Sequence, residues 1–181
     1  MKLRPCACID TLYKELPFLE RITAAGRDGF AAVEFWHWQD RDMAAVRHAA
    51  EAAGVQVAGF NGDGPFSLID PEQREEYLAY LARSMDAAKA AGAASLTIHS
   101  NALGEGGVVT DRGEGLSDTV RLCAMYEGLK ACAAMAEDRG IMLHLEALNP
   151  ITDHPGNFLV TTAMAAELTG LVGSPRLKIL Y

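Results

Sequence analysis

The chain has 181 residues, half of them hydrophobic and 22% charged, and 24 acidic against 16 basic side chains leave a net charge of −8. That length can bury a sizeable core without staples, whereas the acidic balance argues against nucleic acid, whose phosphates would repel it. No window approaches the roughly 20 apolar residues of a membrane span, and the start Met1-Lys2-Leu3-Arg4-Pro5-Cys6 lacks the apolar stretch of a secretory signal, so a cytoplasmic protein is expected.

Along the chain, short apolar runs alternate with longer amphipathic ones. The expected strands are Pro5–Ile9, Ala31–Trp36, Val55–Phe60, Ser95–His99, Ile141–Glu146 and Leu177–Leu180. Cys6 and Cys8 share a face of the first. The clearest helix is Pro71–Ala91, with Leu78, Leu81, Met85 and Ala88 at three- and four-residue steps on one stripe. Asp70-Pro71-Glu72-Gln73 supplies its cap, its first-turn proline and acid for the dipole. A second long helix is expected over about Asp118–Asp138, with Leu122, Met125, Leu129, Cys132 and Ala136 inward. Cys123 and Cys132, nine apart, project to opposite sides of it. With no C-x-x-C pair, four reduced thiols are expected.

The joins repeat. Ala24-Ala25-Gly26, Ala52-Ala53-Gly54, Ala90-Ala91-Gly92 and Asp138-Arg139-Gly140 each close a helix and precede an apolar run. Such alternation predicts parallel strands with right-handed crossovers in a single domain, residues 1–181. An open doubly wound sheet usually carries G-x-G-x-x-G after its first strand. Here that strand leads into Asp10-Thr11-Leu12-Tyr13, and Gly104-Glu105-Gly106-Gly107, after the fourth strand, reads as a flexible loop. The (β/α)₈ barrel is the better-supported architecture.

Its support lies just past each apolar run: Asp10; His37 between Trp36 and Trp38; Asn61 and Asp63; His99-Ser100-Asn101; Glu146 and Asn149. In a parallel barrel these ends share one rim, where substrates bind. Strand ends meet water in any fold, which accounts for Asp63 or Asn101 more readily than for Glu146. Alternation puts Met142, His144 and Glu146 on one strand face, opposite Leu143 and Leu145. A carboxylate at a buried strand end needs donors or a cation. Mg²⁺ or Mn²⁺ would suit its oxygens, and a structural salt bridge is the alternative. His144 reads as a satisfied interior histidine and His48 as a surface one.

Leu145-Glu146-Ala147-Leu148-Asn149, followed by Asp153-His154-Pro155-Gly156-Asn157-Phe158-Leu159, resembles the fifth-strand motif of hydroxypyruvate isomerase-like proteins. These belong to the xylose isomerase-like TIM barrel superfamily of sugar isomerases and epimerases. Gly29-Phe30-Ala31-Ala32-Val33-Glu34-Phe35 resembles its second strand, Phe60-Asn61 its third and Leu177-Lys178-Ile179-Leu180-Tyr181 its sixth. The family often has Thr-Arg where Pro150 and Ile151 stand.

The resemblance implies a (β/α) barrel with one divalent metal, Mg²⁺ or Mn²⁺, held by two glutamates, an aspartate and a histidine or glutamine. Glu146 matches the first glutamate, as both metal ligand and catalytic acid/base. The aspartate is expected directly after Tyr181 and the other ligands on strands seven and eight. About six of eight β/α units are therefore expected here, a barrel truncated after strand six, where a full one takes about 250 residues. Either the gene product is longer or the open edge strands are covered by association, as in a homo-oligomer. The 181-residue form is expected to bind metal weakly and to be inactive by itself.

The implied reaction is isomerisation or epimerisation of a small hydroxy-carbonyl or sugar substrate, by proton transfer through an enediolate. His99, Asn61, Asn149, His154 and Trp36 are the candidate substrate-binding residues. For Trp36 core packing is the alternative, and for His154 a plain turn. The Ala102–Gly115 loop could be a lid. A dehydratase of a cyclic polyol ketone on the same scaffold, and a non-catalytic remnant, stay open as other functions.

Overall fold

Strands form where the sequence has its short apolar runs: β1 (Cys6–Cys8), β2 (Ala32–Glu34), β3 (Gln56–Asn61), β4 (Ser95–Ile98), β5 (Met142–Glu146) and β6 (Leu177–Leu180). The structure, a computed structural model, describes residues 3–181. Met1 and Lys2, where the N-terminal reading began, lie outside the described residues. Helices α1 (Phe18–Arg27), α2 (Met43–Ala53), α3 (Arg74–Ala91), α4 (Asp118–Arg139) and α5 (Thr162–Val172) alternate with the strands. A 3₁₀ turn, Pro71–Gln73, leads into α3, and Asp70 caps it by accepting from the Glu72 N–H at 2.9 Å. No helix among the described residues is long and apolar enough to cross a membrane.

The strands follow one another in the sheet in sequence order, β1 to β6. Ala7 pairs with Val33, Val33 with Val57, and Leu143 with Leu177, all in parallel register. A doubly wound sheet reverses its strand order at a switch point, whereas a barrel does not. The unbroken order therefore decides between the two architectures.

The chain divides into two compact units, Met1–Asn61 with Asp86–Leu96, and Gly62–Met85 with Thr97–Tyr181. In the first, Phe35 stacks on Phe60 with centroids 5.0 Å apart, and Phe18 meets Phe35 edge-on. Arg41 covers Phe18 and pairs with Asp10 at 3.1 Å. The Ala-Ala-Gly reading stops short at α1, which continues through Gly26 to Arg27. That glycine serves close packing: a Cβ on it would stand 2.5 Å from the Ala53 carbonyl oxygen of α2. Gly54, by contrast, does terminate α2 with left-handed backbone, φ +68°.

Two core assignments need correction. The buried stripe of α3 is Tyr77, Tyr80, Leu81, Met85 and Ala88, and Leu78, one position off its centre, is half-buried. On α4, Met125, Leu129, Cys132 and Ala136 are buried as expected, while Leu122 in the second turn is 40% exposed. Close approach fixes the loop over α4 as well, since a Cβ on Gly128 would meet Leu68 at 2.7 Å. Cys123 is exposed and Cys132 buried, and both are free thiols, as are Cys6 and Cys8.

Candidate active site

β4 runs directly into His99, and β5 ends on Glu146. Parallel strands end on the same side of a sheet, so the two side chains meet in the second unit. His99 Nε2 lies 3.2 Å from Glu146 Oε2. The other ring nitrogen, Nδ1, faces the Asp63 carboxylate at 3.1 and 3.2 Å, and the His99 backbone N–H donates to Asp63 Oδ2 at 2.6 Å. Asp63 stands just after β3, in the turn that Gly62 starts by donating to the Thr97 carbonyl.

Burial grades the three groups. The side chains of His99 and Asp63 are 4% and 7% exposed, and that of Glu146 is 35% exposed. Burial of the ring opposes its protonation, but the Asp63 charge and the hydrogen bonds to Asp63 and Glu146 outweigh it. The His99 pKa rises to about 10. Each ring nitrogen faces a carboxylate, which accepts but does not donate, so the ring is an imidazolium that donates to both. On the same strand as Glu146, His144 has its pKa lowered by burial.

The segment after His99 is structural. Ser100 Oγ donates to Asn101 Oδ1 at 2.7 Å and accepts from the Leu159 N–H at 3.1 Å, while Asn101 Oδ1 also accepts from the Phe158 N–H at 2.8 Å. Asn157 Nδ2 donates to the Leu159 carbonyl at 2.7 Å. These buried bonds fix the loop that leaves β5. The glycine-rich loop is built rather than slack: Leu103 and Val109 form an antiparallel bridge around a 3₁₀ turn, Glu105–Gly107. Asp111 at its end accepts from Gln73 Nε2 and the Gly113 N–H, both at 2.8 Å.

Of the candidate substrate-binding residues, His99 is therefore beside Glu146, and the others have separate partners. Asn149 Oδ1 accepts from the Ile151 N–H at 2.9 Å, as a turn residue does. His154 Nδ1 donates to the Gly107 carbonyl at 2.6 Å. Asn61 and Trp36 belong to the first unit, where the Asn61 N–H donates to the Trp36 carbonyl at 3.3 Å and the Trp36 N–H to Asp10 Oδ2 at 2.6 Å. Trp36 is 44% exposed.

Asp63 and Asn101, which read as solvated strand ends in the sequence, are instead buried, Asn101 to 1% exposure and the Asp63 side chain to 7%. Asp63 is the residue that sequence reasoning missed. Its available signal was a carboxylate three residues past an apolar run, aligned with the histidine that ends the next one. Among the described residues, no group of three or more His, Cys, Asp or Glu side chains could hold a metal ion. Glu146 turns one oxygen to an imidazolium, and Asp63 is spent on the same ring, so these residues do not by themselves fit a divalent cation.

A family profile described as xylose isomerase-like TIM barrel matches residues 21–181. A Streptomyces coelicolor protein named "Putative hydroxypyruvate isomerase" is 32% identical over 195 residues, covering 96% of this chain and 66% of that protein. A 2-oxo-tetronate isomerase of Cupriavidus necator is 28% identical, covering 98% of this chain and 67% of the relative. The chain thus spans about two thirds of the length of these relatives. Among solved structures, an AP endonuclease of family 2 from Brucella melitensis superposes with a TM-score of 0.84 at 22% identity, over 98% of this chain and 67% of that one. At that identity the likeness speaks for the fold alone. Sequential parallel strands, a carboxylate at the end of β5 and the profile match lead to one conclusion: the chain belongs to the xylose isomerase-like TIM barrel family.

Proposed function

We propose that the chain is the greater part of an isomerase or epimerase of a small hydroxy-carbonyl or sugar substrate, with Glu146 as the group that moves the proton. The observation that carries this reading is the Glu146 carboxylate: one oxygen is fixed at 3.2 Å by His99, and the side chain remains one-third open to solvent. A positioned base contributes about 10²–10⁴ in rate to removal of a carbon-bound proton. The names of the relatives, hydroxypyruvate isomerase and 2-oxo-tetronate isomerase, point to short 2-oxo acids bearing a hydroxyl.

For hydroxypyruvate the chemistry balances without an oxidant. Glu146 takes a proton from carbon 3, the electron pair becomes the carbon–carbon double bond of the enediol, and the ketone oxygen is protonated. Return of a proton to carbon 2, with loss of the proton on the carbon 3 hydroxyl, leaves the aldehyde. The imidazolium of His99 keeps a positive charge beside the carboxylate throughout. A divalent cation, Mg²⁺ or Mn²⁺, belongs to the family reading, but the donor set among the described residues does not assemble a site for one.

The test is exchange of the carbon 3 hydrogens of hydroxypyruvate for deuterium in D₂O by the full-length protein, followed by NMR, with Glu146→Gln as the comparison. The variant keeps the shape and loses the base, so exchange should fall at least about 10²-fold while the circular dichroism spectrum stays the same. Equal exchange by both proteins would end the assignment of Glu146.

A further inference from the structure

We infer that Asp63 is a positioning residue that fixes the ring of His99 and, through it, the carboxylate of Glu146. The inference rests on the reading of Glu146 as the base. Asp63 grips His99 at two places, the backbone N–H at 2.6 Å and Nδ1 at 3.1 Å, which sets both where the residue sits and how its ring is turned. The far nitrogen of that ring then has one direction to donate, and Glu146 Oε2 is 3.2 Å along it. A glutamate side chain left free at a strand end samples many rotamers, and ordering it carries an entropy cost. The buried pair behind Glu146 meets that cost before any substrate arrives.

Stability alone is a poor account of this arrangement. Two buried charges forfeit hydration that their attraction barely repays, and apolar replacements of such pairs are often as stable. Tyr77, fully buried within the field of Asp63, donates its hydroxyl to no group among the described residues, so it does not share the task of holding that carboxylate. The chain of contacts leads from a carboxylate 7% exposed, through a ring 4% exposed, to one carboxylate that solvent reaches. Its exposed end is where a substrate would arrive.

Side-chain carbon relaxation of Glu146 in the 181-residue chain tests the inference without requiring turnover. In the wild type, the Glu146 methylene order parameter should lie near rigid-backbone values, about 0.85, and in Asp63→Asn it should fall below about 0.6 with backbone shifts otherwise retained. Mobility in the wild type equal to that of exposed Glu76, or an order parameter unchanged in Asp63→Asn, would overturn it. If Asp63→Asn does not fold, the same measurement on His99→Gln decides, with loss of order expected and unchanged order fatal. In the hydroxypyruvate assay on the full-length protein Asp63→Asn should lower kcat by about tenfold or more and leave KM within about twofold, as a misplaced but present base does. A raised KM with unchanged kcat would count against positioning. Absence of wild-type turnover in the full-length protein would instead count against the isomerase reading, and the relaxation result on the 181-residue chain would still decide the role of Asp63.

Discussion

His154 and Gly107 lock two loops together: the ring donates from Nδ1 to the Gly107 carbonyl at 2.6 Å and occupies the space a side chain there would need. A Cβ on Gly107 would stand 2.6 Å from His154 Cε1, on backbone with φ +79°. Left-handed backbone alone costs an alanine roughly 1–2 kcal/mol. Gly107→Ala should therefore destabilise the chain by about that amount and speed amide exchange from Gly104 to Thr110, with α4 unaffected. His154→Ala should speed the same amides with a smaller loss of stability. Unchanged exchange in both would show that the contact does not hold the loop.

Two effects oppose each other at Gly26. Alanine gains about 1 kcal/mol of helix propensity over glycine, but its Cβ would meet the Ala53 carbonyl oxygen at 2.5 Å. Backbone cannot swing aside as a side chain can, and overpacking of this kind costs typically 1–3 kcal/mol. The clash should win, so urea denaturation of Gly26→Ala should give a net loss of up to about 2 kcal/mol. A gain would show that α1 and α2 separate freely.

His99 gives a pH dependence with a definite sign. Its pKa rises on folding from an ordinary 6.5 to about 10, because the carboxylates of Asp63 and Glu146 outweigh its burial. The folded state thus binds the proton more tightly. This contribution is complete below pH 6.5 and is lost as the pH climbs through about 10. Unfolding free energies measured between pH 6 and 10 should fall along that interval in the wild type and fall less in Asp63→Asn. Parallel curves would place the proton elsewhere.

Tyr77 carries a hydroxyl for which no partner exists among the described residues, on a ring that is 1% exposed. Burial first, and the Asp63 charge second, push its pKa well above the usual tyrosine value. A buried donor left unsatisfied costs roughly 1–3 kcal/mol. Tyr77→Phe should accordingly stabilise the chain by about 1 kcal/mol and raise Tm by about 2–4 °C. A fall in Tm would reveal a partner for the hydroxyl, such as a buried water.

The parts of this structure that local pattern determines were legible in the sequence. Apolar runs of strand length and glycines such as Gly54 mark where strands and helices stop, because those signals act within a few residues. The placement of Glu146 on the same face as His144 follows from strand alternation alone. What stayed hidden depends on partners far along the chain. Asp63 looks like any solvated turn residue until His99, 36 positions later, closes on it. Gly26 looks like a helix stop until α2 lies against it. His154 reads either as a substrate ligand or as part of a plain turn, and only the fold shows its Nδ1 bonded to the Gly107 carbonyl, 47 positions away.

The sequence-ordered pairing of the strands has a consequence for how the chain comes to be folded. Ala7 meets Val33, and Val33 meets Val57, so each new strand finds its partner in the one made just before it. On a ribosome, where residues emerge over seconds and domains form from the N-terminal side, β1 to β3 can lay down their ladder while later segments are still being synthesised. Loop closures of this size are entropically mild. Up to β6, the next strand to emerge is then the one that pairs with the edge already laid down.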